Sequence, residues 1–233
     1  MKPKLILFDI DHTLIDPGGA GRRAMTEAFY EIFSIPDAFS RIKMAGKTDL
    51  QILKEGLLAH DISWDGGIVS TFLSTYVEKL KRTVKDGVKT RKVNPGVIEL
   101  LEAIEARKGY WQGLLTGNVE QGARIKLGAF GLNRYFSFGA FGDDDEDRNR
   151  LLPIAIRKFR NLTGIELSFA DCVVIGDTPS DVACSKPFGS ISIGVTTGPY
   201  SRTTLLEAGA HYVFDNLSHA MDTILGNDIG KGI

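Results

Sequence analysis

The sequence reads as an α/β protein: a Rossmann-like core on a parallel sheet, with an all-helical unit inserted after the first strand. Three observations lead there. Short apolar runs recur with helical patterns between them; strand signals vanish over a long stretch near the N-terminus; and three of the apolar runs end in carboxylates or hydroxyls. Alternation of this kind specifies a parallel sheet covered by helices.

The first run, Leu5-Ile6-Leu7-Phe8, is closed by Asp9. It fits a strand buried on both faces whose carboxyl end carries a polar group. Between about Asp16 and Lys92 three amphipathic helices can be counted. Met25, Ala28, Phe29, Ile32 and Phe33 form one stripe; Leu50, Leu53, Leu57 and Leu58 a second; Val69, Phe72, Leu73, Tyr76 and Leu80 a third. Packing of the helices on one another is their simplest use. Thr48, with Gln51 three residues on, has the form of a capping box for the second helix. Pro17-Gly18-Gly19-Ala20-Gly21 and Lys85-Asp86-Gly87-Val88-Lys89 flank the insertion and suit hinges. The chain thus divides into a core domain over 1–16 and 93–233 and a helical cap domain over 17–92.

After the insertion, Asn94-Pro95-Gly96 starts a helix with Val97, Leu100, Leu101 and Ile104 on one face. Further helices fit Val119 to Phe130 and Leu151 to Phe159. Strands fit Gly113 to Thr116 and Cys172 to Gly176 and, more weakly, Ile191 to Ile193 and Tyr212 to Phe214. Residues 226–233 read as a frayed tail.

At 233 residues, 43% hydrophobic and 24% charged with a net charge of -1, the chain shows neither disorder nor a polybasic surface. No nucleic-acid partner is expected. The two cysteines, Cys172 and Cys184, give no disulfide framework. The first apolar run is too short for a signal-peptide core, and none approaches the roughly 18 residues of a membrane span. A soluble, cytoplasmic protein without a membrane partner is the expectation.

Asp9 and Asp11 follow the first strand, Thr116 and Asn118 the next, and Asp177 and Asp181 the third. Ligands of open α/β sheets bind outside the carboxyl ends of the strands, so these groups are expected in one crevice. Four carboxylates there would repel one another unless a cation neutralised them. A hard oxygen site of this kind suits Mg²⁺, and without a histidine or cysteine cluster zinc is disfavoured. Of two carboxylates two residues apart, one can attack a phosphoryl group while the other handles protons. Thr116, with the backbone at Gly117 and Asn118, can donate to phosphoryl oxygens. The proline of Gly176-Asp177-Thr178-Pro179-Ser180-Asp181 marks a helix start, which leaves Asp177 in the strand-end loop and puts Asp181 about one turn on, a spacing that permits one metal ligand and one supporting carboxylate.

These segments resemble the haloacid dehalogenase superfamily, in its phosphoglycolate-phosphatase-like branch with a helical cap. Its four motifs occur in order: Asp9-Ile10-Asp11-His12-Thr13-Leu14, Leu115-Thr116-Gly117-Asn118, a basic segment near Asp147-Arg148-Asn149-Arg150, and Gly176 to Asp181. The resemblance implies that Asp9 is the nucleophile, Asp11 the general acid/base, and Thr116 a phosphate ligand. It implies a metal held by Asp9, the Asp11 backbone carbonyl and Asp177, supported by Asp181.

Two departures stand out. His12 replaces a common glycine, either perturbing the site or packing beside it. The third motif usually contains a lysine, and none occurs between Lys126 and Lys158; Arg148 is favoured over Arg150 as its substitute. The run Asp143-Asp144-Asp145-Glu146-Asp147 reads first as a solvated loop, with Asp143 or Asp144 at the site rim as the alternative. Lys47, in the break between two cap helices, is a candidate contact to an anionic substrate, and Arg22 and Arg23 are open to the same reading. The expected protein is a Mg²⁺-dependent phosphatase acting on a small phosphorylated metabolite, as a monomer or homodimer. A phosphomutase, or a phosphorylatable or inactive binding module, is the alternative.

Overall fold

Strand β1 (Lys4–Phe8) is buried from Leu5 onward because it lies inside a sheet with helices on both faces. The computed structural model describes residues 4–86 and 91–226. From β1 the chain passes through β2 (Ile15–Asp16) into α1 (Ala20–Phe33), α2 (Asp49–Leu58) and α3 (Gly66–Asp86), and returns through β3 (Lys92–Val93). It continues as α4 (Val97–Glu105), β4 (Tyr110–Leu115), α5 (Glu120–Gly128), β5 (Gly139–Ala140) and α6 (Leu151–Thr163). The last third holds β6 (Cys172–Gly176), α7 (Pro179–Ser185), β7 (Ile191–Val195), α8 (Arg202–Glu207), β8 (Tyr212–Phe214) and α9 (Met221–Leu225).

Six of these strands form one parallel sheet in the order β5-β4-β1-β6-β7-β8. The chain builds outward from β1 through β4 to β5, then crosses to the other side of β1 for β6. The strand order therefore reverses beside β1, where open α/β sheets leave their binding crevice. Alternate side chains of each strand face opposite layers. Ile6, Phe8, Val173 and Ile175 pack with Leu100 and Leu101 of α4 and Leu127 of α5. Leu5, Leu7, Cys172 and Val174 pack with Leu152, Ala155 and Phe159 of α6. Cys172 and Cys184 are free and buried. The fold is the expected α/β core with an inserted helical unit. No described helix is long and apolar enough to cross a membrane.

The inserted helices share their own core, in which Phe29 of α1 meets Phe39 at 5.2 Å and Phe72 of α3 at 6.2 Å between ring centroids. The Thr48–Gln51 capping box starts α2 as expected. Its buried face is Ile52, Leu53, Gly56 and Leu57, while Leu58 is 76% exposed. The expected stripe was therefore turned by about one residue. Gly56 explains the turn, since a Cβ there would meet the Phe39 ring at 2.5 Å. Only a glycine face accepts that ring.

The strands β2 and β3 pair antiparallel, Ile15 with Val93 and Asp16 with Lys92, where the chain leaves and re-enters the sheet domain. Periodicity cannot show strands of two residues, and β5 went unseen for the same reason. Asn94 is buried just beyond, donating through Nδ2 to His12 O at 2.8 Å and Thr13 O at 3.0 Å. The stretch 85–89 lies partly, and the tail 226–233 almost wholly, outside the described residues.

Candidate active site

Asp9 leaves β1 with its backbone N–H donating to Ile175 O at 2.9 Å, so its carboxylate emerges between β1 and β6. It is buried, and Oδ1 accepts from Arg148 Nη2 at 2.9 Å. The same Nη2 donates to Asp181 Oδ1. Arg148 begins a short 3₁₀ turn ahead of α6 and its side chain is 7% exposed, whereas that of Arg150 is 71% exposed. Arg150 faces outward to Asp145 at 3.6 Å and Asp147 at 3.9 Å. Arg148 is thus the arginine at the carboxylates.

Pro179 opens α7, and Thr178 caps it in a reciprocal box with Asp181. Asp181 Oδ2 accepts from Thr178 N at 2.9 Å and Oγ1 at 2.6 Å, which fixes its other oxygen toward Arg148. Asp177 Oδ1 accepts from Thr13 Oγ1 at 3.3 Å, while its buried Oδ2 has no partner. Gly198 abuts that oxygen; a Cβ there would fall 1.8 Å from it.

Oxygens of Asp9, Asp177 and Asp181 lie within 4.8 Å of one another. Burial pushes the Asp9 carboxyl up to about 7, with the Asp181 and Asp11 charges adding to it and Arg148 opposing. Burial, together with Asp181 and Asp9, also holds Asp177 well above the carboxylate range. One guanidinium does not balance this cluster. An orphaned buried carboxylate oxygen among hard oxygen donors fits a divalent cation, held by Asp9 and Asp177 with Asp181 behind them.

Asp11 does not join that group. Its Oδ2 accepts from Asn118 Nδ2 at 3.1 Å and from Lys126 Nζ, and its Oδ1 is unpartnered. Burial raises its carboxyl, but the charge and hydrogen bond of Lys126 outweigh it and the net effect lowers it. Thr116 Oγ1 accepts from Asn118 N at 3.3 Å and Nδ2 at 2.9 Å, leaving its own proton to donate. Gly117 O accepts from Asp49 N at 2.7 Å, and a Cβ on Gly117 would fall 2.3 Å from Lys47 O. The start of α2 is therefore pressed onto the loop after β4. Thr48 Oγ1 to Glu146 O at 2.9 Å and Asp49 Oδ2 to Val119 N at 2.9 Å complete that junction.

A cavity of about 280 Å³ lies between the inserted helices and the strand ends, lined by Asp9, Asp11, His12, Lys47, Asn118 and Arg148 among others. Lys47 reaches its wall, but Nζ is held by both oxygens of Glu55, at 2.6 and 2.5 Å. Arg22 donates to Phe39 O at 2.6 Å and Ile42 O at 3.1 Å, and Arg23 to Gly18 O at 2.6 Å. His12 has φ 60°, a left-handed conformation ordinarily suited to glycine. Its carbonyl is pinned by Asn94 Nδ2 and Thr197 Oγ1, which over-determines the turn.

The acidic run is exposed at Asp143, Asp144 and Glu146, as a solvated loop is, and nearby groups hold its carboxylates. Asp143 accepts from Glu120 N at 3.0 Å, Asp144 from Phe141 N at 2.9 Å and Lys158 at 2.6 Å, and Glu146 pairs with Lys54 at 3.0 Å. None of these carboxylates is bonded to Arg148.

Sequence reasoning missed Asp49 and Lys126, both buried at the cavity. Burial pushes Asp49 up to about 6, partly opposed by Lys126. For Lys126 a signal exists. It shares the buried face of α5 with Gly122, Ala123 and Leu127, and a lysine on an apolar stripe must find a partner.

The geometry defines a crevice lined by buried carboxylates at the carboxyl ends of a parallel sheet. The model of the haloacid dehalogenase-like hydrolases matches residues 6–195, and the chain belongs to that family. It is 25% identical over 222 residues to phosphoglycolate phosphatase 1 of Pseudomonas aeruginosa, covering 92% of this chain and 77% of that one. A phosphoglycolate phosphatase of Pseudomonas syringae is 24% identical over 234 residues, covering 97% and 81%. Among solved structures, a hydrolase from Pseudomonas syringae superposes with a TM-score of 0.72 at 23% identity, over 97% of this chain and 99% of that one. CbbY from Rhodobacter sphaeroides, in complex with phosphate, gives 0.73 at 20% identity over 94% and 96%.

Proposed function

We propose that this chain is a Mg²⁺-dependent phosphatase that hydrolyses a phosphate monoester of a small metabolite through an aspartyl phosphate on Asp9. The observation that carries this reading is the buried Asp9 carboxylate, bonded to Arg148 and grouped with Asp177 and Asp181 around an unpartnered carboxylate oxygen. An oxygen of Asp9 attacks phosphorus as the ester oxygen leaves. Asp11, which lines the same cavity and has an unpartnered Oδ1, gives that oxygen its proton and later takes one from the water that hydrolyses the aspartyl phosphate. Against the effect of burial, the Lys126 charge and hydrogen bond hold the Asp11 carboxyl below its ordinary range, which suits its role as base.

Arg148 orients Asp9 and offsets charge on the transferring group, and the Thr116 hydroxyl, with the backbone at Gly117 and Asn118, donates to phosphoryl oxygens. Mg²⁺ held by Asp9, Asp177 and the Asp11 carbonyl, with Asp181 in support, would shield the anionic nucleophile from the anionic phosphoryl group. Residues 17–92 act as the cap that excludes water and shapes the leaving-group side. Lys47, shared with Glu55, lies where it can reach an anionic substrate when that pair opens.

The test is a screen of phosphorylated metabolites, beginning with 2-phosphoglycolate on the strength of the relatives' names, with and without Mg²⁺. Phosphate release should require the cation and fall on the order of 10³-fold or more in Asp9→Asn. An Asp9→Asn enzyme that keeps its turnover would remove the nucleophile.

A further inference from the structure

Lys126 comes from the last turn of α5, and its side chain is 4% exposed. Nζ donates to Asp11 Oδ2 and to Asn118 Oδ1, the latter at 2.5 Å. Asn118 in turn donates through Nδ2 to the same Asp11 oxygen at 3.1 Å. Three side chains thus close a triangle in which Asp11 Oδ2 receives two donors and Oδ1 none. The lysine also fixes the amide, because an Asn118 turned over would present its NH₂ to the ammonium and its oxygen to the carboxylate. The start of α1 closes over the ammonium: a Cβ on Gly21 would stand 3.2 Å from Nζ.

We propose that Lys126 is a positioning residue for proton transfer: it clamps Oδ2 of Asp11, directly and through Asn118, so that Oδ1 is the oxygen presented to the leaving group. The proposal rests on the reading of Asp9 as nucleophile and Asp11 as acid/base. A carboxylate held by one donor can rotate about its terminal bond, which is broad and two-fold. With Lys126 replaced, Asp11 keeps only the Asn118 amide, and that amide loses the ammonium on its oxygen and is held by Thr116 Oγ1 alone. Proton delivery then fails most where the leaving oxygen needs it most. Phosphoryl transfer to Asp9 breaks the ester P–O bond with its electron pair going to the leaving oxygen. An alkoxide requires the proton of Asp11, while p-nitrophenolate departs without it.

The experiment compares Lys126→Met with wild type in Mg²⁺ on p-nitrophenyl phosphate and on benzyl phosphate, an ester of similar shape with an alkoxide leaving group. It reads kcat/KM, which covers the steps through phosphorylation of Asp9. The loss on benzyl phosphate should exceed that on p-nitrophenyl phosphate by about tenfold or more, a fraction of what general acid catalysis supplies. In an Asp11→Asn background, Lys126→Met should change neither rate by more than about twofold, since its effect has no other route. Equal losses on both esters, or a full further loss in the Asp11→Asn background, overturns the proposal while leaving Asp9 in place. Turnover of both esters that Asp9→Asn leaves unchanged removes the reading of Asp9 itself, and the proposal with it. Should Lys126→Met not fold, Lys126→Gln, which keeps an amide donor without the charge, takes its place. Failure of both to fold makes the lysine structural and overturns the proposal.

Discussion

Replacing Arg148 with methionine removes the guanidinium from a cluster of three carboxylates and leaves most of the aliphatic volume. Breaking a buried ion pair from one side costs about 3–5 kcal/mol when the remaining charge has no escape. Protonation is an escape here, because the Asp9 carboxyl is already pushed up to about 7 by burial and by Asp181 and Asp11. The cost must therefore grow with pH. Asp9 binds its proton more tightly in the folded state, so its contribution to stability is complete below the unfolded value near 3.8 and is lost as pH rises through about 7. Arg148 opposes that rise, and without it the loss extends to higher pH. In chelator, urea unfolding should show Arg148→Met destabilised by about 1 kcal/mol at pH 5 and by about 3 kcal/mol at pH 8. Arg150→Met, at a side chain 71% exposed, should differ from wild type by less than about 0.5 kcal/mol at either pH. With Mg²⁺ present, kcat should fall about 10²–10³-fold in Arg148→Met and stay near wild type in Arg150→Met. A destabilisation that does not change with pH, or equal effects at the two arginines, would refute the electrostatic account.

Three further expectations follow from the same contacts. Asp49 is raised to about 6 by burial, so its ionisation weakens the fold as pH climbs through that value; Asp49→Asn keeps an acceptor for Val119 N and should gain up to about 2 kcal/mol on wild type between pH 4 and pH 8, and a constant difference in urea midpoint over that range would contradict it. Gly117→Ala puts a methyl 2.3 Å from Lys47 O and should force α2 off the loop after β4, raising KM and lowering kcat by about tenfold; unchanged kinetics would show that this junction is not used in turnover. Adding Mg²⁺ to chelated protein should raise the melting temperature with increasing concentration, and Asp177→Asn should abolish the rise, whereas an undiminished shift in the variant would place the cation elsewhere.

What the sequence disclosed and what it withheld divide along one physical line. A strand's burial and a helix's stripe are properties of neighbours in the chain, so Leu5 to Phe8 and Cys172 to Gly176 were legible, as were the polar groups at their ends. The capping box at Thr48 spans three residues and is local in the same sense, as is the helix start marked by Pro179. Partnership across the fold is not local. Arg148 and Arg150 are chemically identical and two residues apart, and only the direction of a short 3₁₀ turn sends one to Asp9 and the other to solvent. The face of α2 turned by one residue because a ring from another segment, Phe39, required Gly56 beneath it. Lys126 meets Asp11 across 115 residues, and no spacing rule joins them. Such residues still leave one trace, a charge where the local pattern calls for an apolar side chain. Burying an unpaired ammonium is too costly to persist, so a lysine between Ala123 and Leu127 on a buried face states that a carboxylate is waiting opposite, without saying which. Here the carboxylate is the one that the proposed chemistry needs oriented.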